Sequence, residues 1–324
     1  MDVPIMSILH SLEICAGAGG QSLGLEQSNF EPTALVENDS SCCNTLRINR
    51  PHWNIIEDDV QQFDGSLYKG IDLFAGGVPC PPFSKAGKQL GEHDERDLFP
   101  TAIRVVDECR PKAIMLENVR GFLDSTFEVY RSDLKIQLEK LGYVVDWKLL
   151  NASDFGVSQL RPRVVIVAIQ QALSGQFAWP RSSAQKPKSV GMLLHELMAS
   201  RGWQEAREWS LHANDIAPTI VGGSKKHGGP DLGPTRAKRA WAKLGVDGMG
   251  IAYEPPDQDF VGMPKLTVPM VARIQGFPET WQFTGKKTPA YRQVGNAFPP
   301  PVAQVVAKQI AKCLTHKTVF AVAS

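Results

Sequence analysis

Up to about residue 170 the chain repeats one rhythm, a short apolar run followed by a longer amphipathic stretch, and no other feature narrows the fold as much. Ile8 to Ile14, Thr33 to Val36, Ile71 to Phe74, Ala113 to Leu116, Val144 to Leu150 and Val164 to Ile169 read as strands. Several are rich in Val, Ile and Leu with little alternation, as in strands buried on both faces of a mainly parallel sheet. Ser40 to Ile48 reads as a helix capped by Ser or Asp, with Pro51 just beyond it. Glu128 to Leu141 reads as another, closed by Gly142 where a left-handed residue is wanted. The pattern predicts an open, doubly wound α/β domain whose ligands lie at the carboxyl ends of its strands.

From about Gln170 to Pro269 polar, Gly-rich and Pro-rich segments dominate, with WPRSSAQKPKS resembling a linker and GGSKKHGGPDLGP a long loop. The chain then returns to helix after Pro299 to Pro301, with Val302, Val305, Val306, Ile310 and Leu314 on one face. At 324 residues, 43% of them hydrophobic and 21% charged, there is material for one large and one smaller domain around a sizeable core. No apolar run approaches the ~20 residues of a membrane helix. Met1 to Pro4 carries no basic cluster, so no secretory signal is expected. The six cysteines include no CxxC pair and are expected reduced, in a cytoplasmic setting without a metal. A net charge of +1 says little about partners. Locally, however, Lys225, Lys226, Arg236, Lys238, Arg239 and Lys243 face a single acid, Asp231. That patch suits either a solvated loop and helix face or a polyanion site.

The chemistry-bearing residues gather at the strand ends. The first strand runs into Glu13-Ile14-Cys15-Ala16-Gly17-Ala18-Gly19-Gly20, a glycine turn that lets a cofactor approach the backbone. Glu37, 20 residues after Gly17, ends the next strand, where a carboxylate accepts hydrogen bonds from ribose hydroxyls. Asp59 ends a third strand-like segment and suits an exocyclic amine. A nicotinamide cofactor fits this turn nearly as well as any other nucleoside-bearing one. Cys80 follows the strand Ile71 to Phe74 within Gly76-Gly77-Val78-Pro79-Cys80-Pro81-Pro82-Phe83-Ser84, where prolines stiffen the loop and present the thiol. Most lone cysteines are inert core residues, and a thiol of pKa ~8.5 needs nearby positive charge or a proton acceptor to act as nucleophile. Glu117 follows the apolar Ala113 to Leu116, where burial raises a carboxyl pKa and suits it to proton donation, or where it caps the turn. Gln159, Arg161 and Arg163 alternate at the start of a strand and share one face. They could form a salt-bridge ladder or an arginine pair for a carbonyl oxygen or phosphate.

Taken in order, these segments resemble the bacterial-type DNA cytosine-5 methyltransferases over nearly the whole chain. EICAGAGG resembles the family's cofactor loop, PCPPFS its nucleophile motif, ENV its acid motif and QLRPR its arginine strand. RIQGFP (Arg273 to Pro278) and QVGNAFPPPVA (Gln293 to Ala303) resemble its two C-terminal motifs. Each is short, but six in order at plausible spacing are specific.

The resemblance implies a Rossmann-like S-adenosylmethionine-dependent domain, residues 1–187 plus 289–324, and a smaller, loop-rich target-recognition domain, residues 188–288. Double-stranded DNA would lie between them. Cofactor contacts would come from Cys15, Ala16, Gly17, Gly19, Gly20, Glu37 (ribose), Asn38, Asp59 (adenine amine), Val60, Pro79 and Leu98 (adenine face). Asn296 and Ala297 would lie near the methionine end. Cys15 and Asn38 stand where the family often has aromatic residues, and Phe298 where valine is common.

Catalysis would fall to Cys80, Glu117, Arg161 and Arg163. Cys80 adds to carbon 6 of a flipped-out cytosine while Glu117 protonates or hydrogen-bonds N3, and carbon 5 then takes the sulfonium methyl. Arg163 would hold O2, and Arg161 would support the cysteine loop. Ser84, Lys88 and Arg96, in a loop closing over the DNA, would contact phosphates. Thr219, in Pro218-Thr219-Ile220, would lie near the flipped nucleotide's phosphate. Lys225, Lys226, Arg236 and Arg239 are expected to contact bases or phosphates. The products would be 5-methylcytosine and S-adenosylhomocysteine. The chain would be a monomeric modification enzyme of a restriction–modification system, or an orphan one, in the bacterial cytoplasm beside its DNA. A related tRNA methyltransferase, a catalytically inactive binding module and a nicotinamide oxidoreductase are the alternatives, though the last leaves PCPPFS and QLRPR unexplained.

Overall fold

A computed structural model describes residues 8–79, 97–223 and 229–315. Its centre is a seven-stranded sheet with strands β1 (Leu9–Ile14), β2 (Phe30–Glu37), β3 (Ile55–Glu57), β4 (Leu73–Gly77), β5 (Ala113–Val119), β6 (Tyr143–Asn151) and β7 (Pro162–Gln170). The spatial order is β3-β2-β1-β4-β5-β7-β6. All neighbours pair in parallel except that β7 lies antiparallel to both β5 and β6. The apolar runs are the central strands, and β5 and β7 are buried on both faces. β6, at the edge, alternates in burial along much of its length, as expected of a strand with one face in water.

Helices cover both faces. α1 (Gly20–Glu26) and α10 (Pro300–Thr315) pack together on one side, where Val302, Val306 and Ile310 join Leu25, Phe30 and Val165 in one core. α3 (Phe99–Cys109) and α4 (Glu128–Lys140) lie on the other, where Val105, Leu134 and Leu138 meet Leu12, Phe74 and Ile166. Each such Leu, Ile or Phe contributes roughly 1.5–3 kcal/mol on burial. α2 (Ser40–Asn49) starts where the Asp39 side chain accepts the Ser41 N–H at 2.9 Å.

The segment expected to be loop-rich holds more helix than its composition suggests: α5 (Val190–Ala199), α6 (Ala206–His212), α7 (Thr235–Ala242) and α8 (Val268–Gln275), followed by α9 (Lys287–Asn296). These helices are short and separated by Gly and Pro, so tertiary burial stabilises them rather than length. Their core, with Leu194, Trp209, Trp241 and Ile274, is continuous with Ala16, Leu23, Leu46 and Trp53 of the sheet half. Among the described residues no helix is long and apolar enough to cross a membrane.

Candidate active site

β1 pairs with β2 on one side and β4 on the other, and the chain order runs outward in both directions from there. This is the switch point of the sheet, and the crevice beyond the carboxyl ends of β1 and β4 is where an α/β fold binds ligands. The glycine turn follows β1, and Pro79 follows β4 two residues after its end. Both borders of the crevice therefore carry motif residues.

The turn is shaped by three left-handed residues, Cys15 (φ 51°), Gly17 (φ 55°) and Gly19 (φ 86°). A Cβ built on Gly17 would meet nothing within 4 Å, so the turn opens onto free space there. Behind it the packing is tight. A Cβ on Gly19 would lie 2.8 Å from the Trp281 ring, and one on Gly20 would lie 2.2 Å from the Phe298 carbonyl oxygen. The Trp281 indole N–H also donates to the Ala18 carbonyl at 3.2 Å. Glu37 draws the turn toward β2: its two oxygens accept the N–H groups of Gly17 at 2.7 Å and Asp39 at 2.8 Å. Burial raises the Glu37 pKa, and those N–H donors oppose the rise.

Asp59 is exposed at the end of the third strand segment, and its carboxylate accepts the Gln61 N–H at 3.0 Å. Asn38 and Pro79 are exposed, Val60 is buried, and half-buried Leu98 packs against the core beside it. Burial pushes the Cys15 thiol up, and Glu37, Glu13 and Asp59 push it further. Glu37 and Asp59, at the ends of neighbouring strands, place carboxyl groups at this crevice that disfavour a pyrophosphate and suit a cation such as a sulfonium, so these residues fit S-adenosylmethionine better than a dinucleotide.

Across the crevice stands Glu117. The Arg163 Nε donates to its carboxylate at 2.7 Å, and both side chains are largely buried. A Cβ on Gly77 would lie 3.6 Å from Glu117 Oε2, so the acid sits beside the end of β4. Burial raises the Glu117 pKa, while Arg163 and then Arg161 oppose it. The arrangement can hold or release a proton next to a fixed positive charge. Cys80, the expected nucleophile, lies outside the described residues, as do Ser84, Lys88, Arg96, Lys225 and Lys226.

Arg161 differs from Arg163 two residues away. It is fully buried, and the hydrogen bonds it makes among the described residues go to the backbone carbonyls of Ile220, Gly295 and Ala297. Burial lowers its pKa, Arg163 adds to that, and Glu117 opposes it. The cysteine loop it was expected to support lies outside the described residues; among those described, Arg161 grips two other segments. Thr219 donates its hydroxyl to the Leu160 carbonyl. Arg236 and Arg239 are exposed on α7, whereas Lys238 pairs with Asp231 at 2.9 Å. Asn296 is exposed and donates to the Gly223 carbonyl at 3.2 Å, with half-buried Ala297 next to it. Sequence reasoning passed over Gln275 and Trp281 and gave Gln159 no role of its own. Their places within QLRPR and at and just beyond RIQGFP were the available signal.

A model of the C-5 cytosine-specific DNA methylase family matches residues 9–312. The Type II methyltransferase M.NgoMIV of Neisseria gonorrhoeae is 58% identical over 307 residues, covering 94% of this chain and 97% of the relative. The Type II methyltransferase M.NaeI of Lentzea aerocolonigenes is 54% identical over 316 residues, 95% of this chain and 76% of the relative. Among solved structures, a DNMT2 of Spodoptera frugiperda superposes with a TM-score of 0.65 at 20% identity, over 93% of this chain and 99% of that one. That likeness speaks for the fold alone.

Proposed function

The chain belongs to the C-5 cytosine-specific DNA methylase family, and from that premise we propose that Cys80, Glu117 and Arg163 methylate a flipped-out cytosine in a specific duplex sequence. It is an S-adenosylmethionine-dependent DNA (cytosine-5-)-methyltransferase of the restriction–modification type, which removes the nicotinamide alternative. The observation that carries the division of labour is the buried Glu117–Arg163 pair beside Gly77, three residues before Cys80.

Carbon 5 of cytosine is a weak nucleophile until the ring is made electron-rich. Cys80 adds through its thiolate to carbon 6, forming the C–S bond, and the ring electrons move toward N3. Glu117, its pKa raised by burial, protonates N3 or hydrogen-bonds to it. Arg163, an always-charged guanidinium, keeps the Glu117 carboxyl in place and would hold O2. S-adenosylmethionine, when bound, supplies the electrophilic methyl group. Carbon 5 would take that methyl as its bond to sulfur breaks and S-adenosylhomocysteine is left. A base then removes the carbon 5 proton, the C–S bond breaks, Cys80 leaves as thiolate and any proton given to N3 returns to Glu117.

The cofactor would be held by Ala16, Gly17, Gly19 and Gly20 with Glu37 on the ribose, Asp59 on the adenine amine, Leu98 on the adenine face, and Asn296 and Ala297 toward the methionine end. Residues 1–187 and 289–324 would form the catalytic domain and 188–288 the recognition domain. In the latter Arg236 and Arg239 lie exposed on α7, where a polyanion would meet them. The protein works on DNA as a monomer in the bacterial cytoplasm.

Bisulfite sequencing of mixed-sequence DNA after incubation with protein and S-adenosylmethionine tests the reading and yields the target site. Wild-type protein should leave methylated cytosines at one sequence, and Cys80→Ser protein none. Equal methylation by the two would overturn the nucleophile assignment. No methylation by wild type would revive the inactive binding module.

A further inference from the structure

The methyl-transfer chemistry makes no use of three fully buried polar side chains that meet between the two halves of the cleft. Gln159, Arg161 and Gln275 are each 0% exposed. Gln159 Oε1 accepts the Ile220 N–H at 2.8 Å, and Arg161 Nη1 donates to the carbonyl of the same residue at 2.8 Å. Side chains two residues apart thus grip both polar groups of one residue. At the other end, Ala297 O accepts from Gln275 Nε2 at 2.6 Å and from Arg161 Nη2 at 3.0 Å, and Gly295 O accepts from Arg161 at 2.7 Å. Gln159 Nε2 closes the ring by donating to Gln275 Oε1 at 2.5 Å.

Residues 217–223 form a strap that depends on this ring. Ala217 exchanges backbone hydrogen bonds with Ser158 and Leu160, Tyr291 donates its hydroxyl to Val221 O at 3.1 Å, and Asn296 donates to Gly223 O. A Cβ on Gly295 would lie 2.5 Å from Gly222 Cα, so strap and α9 touch backbone to backbone. The strap's hydrogen bonds therefore run to residues 158–161 and 291–296. A guanidinium is a planar, rigid fork, so one Arg161 side chain fixes the spacing between Ile220 and Gly295–Ala297. A buried polar group left without its partner costs roughly 1–3 kcal/mol, so the ring favours one arrangement of both segments.

We propose that Gln159, Arg161 and Gln275 are positioning residues that lock the target-facing strap 217–223 to residues 295–297 at the cofactor end, so that filling one place favours the geometry of the other. The inference rests on the proposed function, which puts Asn296 by the cofactor, and on the family resemblance, which implies Thr219 by the target nucleotide. Arg161 then acts through the backbone rather than on the base, unlike Arg163.

A thermodynamic cycle tests this. The affinity for S-adenosylhomocysteine is measured with and without a duplex oligonucleotide carrying the mapped site, and the affinity for the duplex with and without S-adenosylhomocysteine. In wild type each ligand should tighten the other by about tenfold, the same factor in both directions. In Gln275→Met that factor should fall to about one, and Arg161→Met should do the same. A role confined to stability would lower the melting temperature and leave the factor untouched. A wild-type factor of one, or an unchanged factor in folded Gln275→Met, overturns the proposal. Should Arg161→Met not fold, Gln275→Met and Gln275→Glu decide it. A wild type that binds neither ligand counts against the proposed function instead.

Discussion

The proposed cofactor wall and the proposed target wall of the crevice are built on different principles. The cofactor wall is an extension of the sheet: β1, β2 and β4 end side by side in a backbone ladder, and Glu37 needs only two backbone N–H groups to tie down the glycine turn. The target wall has no ladder beneath residues 217–223 beyond one short bridge at Ala217. Side chains hold it, with Gln159 and Arg161 reaching from one direction and Tyr291 and Asn296 from another. A ladder tolerates many sequences because its bonds are main-chain. A wall held by side chains has single points of failure.

Glu117, between the walls, should show the largest effect. Glu117→Gln preserves the shape beside Gly77 but can neither donate a carboxylic proton to N3 nor carry the charge that Arg163 faces. Single-turnover methyl transfer should slow by roughly 10²–10⁴-fold, the usual worth of a positioned acid. S-adenosylmethionine affinity, which depends on the other wall, should stay within about threefold. An equal loss of both would erase the distinction between walls.

The same difference governs what could be read without coordinates. Strands buried on both faces announce themselves as apolar runs, so β5 and β7 are legible from residue types alone. β3 is three residues long, too short for any periodicity, and only the position of Asp59 hinted at it. α5 to α8 are hidden because each is short and lies among Gly- and Pro-containing segments, with stability that comes from burial in a shared core. At the site, Glu117 and Arg163 stood out because a charge at the end of an apolar run is conspicuous. Gln159 and Gln275 did not: glutamine ordinarily reads as surface, and only the closure of chain segments more than 100 residues apart buries the pair. That β7 runs antiparallel was also illegible, since both directions bury the same residues.

The cofactor wall contains one hidden acid. Glu13, within β1, is buried with the Ser22 hydroxyl donating to it at 2.6 Å. Burial pushes its pKa up to about 8, the Ser22 bond opposes this and Glu37 adds to it. Because the folded value lies above the ordinary 4.5, the folded chain keeps a proton that the unfolded chain has lost. The stability this confers is complete below about pH 4.5 and is lost as pH rises through about 8. Unfolding free energy should therefore fall by on the order of 3 kcal/mol between pH 5 and pH 8 from this group. Glu13→Gln, which has no proton to lose, should flatten that slope in urea titrations. An unchanged slope would mean that the acid is ionised in the fold.

The smallest effect separates the walls most cleanly, because it uses the same change on each. Gly17→Ala adds a methyl where space is open, but at φ 55° it forces a side chain into the left-handed region, at a cost of roughly 1–2 kcal/mol. The methyl also occupies the face offered to the cofactor, so S-adenosylmethionine binding should weaken while duplex binding in its absence holds. Gly295→Ala lies inside α9, where alanine is worth about 1 kcal/mol over glycine by helix propensity. Its methyl, however, would lie 2.5 Å from Gly222 Cα and 2.6 Å from Gly222 N, backbone atoms that cannot rotate away. Overpacking costs about 1–3 kcal/mol, so the net loss of stability should be about 0–2 kcal/mol. The strap must give way instead, and duplex affinity should fall several-fold more than cofactor affinity when each is measured alone. If the two alanines weaken the two ligands in the same proportion, the walls are one mechanical unit even without a ligand, and the ring of Gln159, Arg161 and Gln275 only reinforces what the shared apolar core already couples.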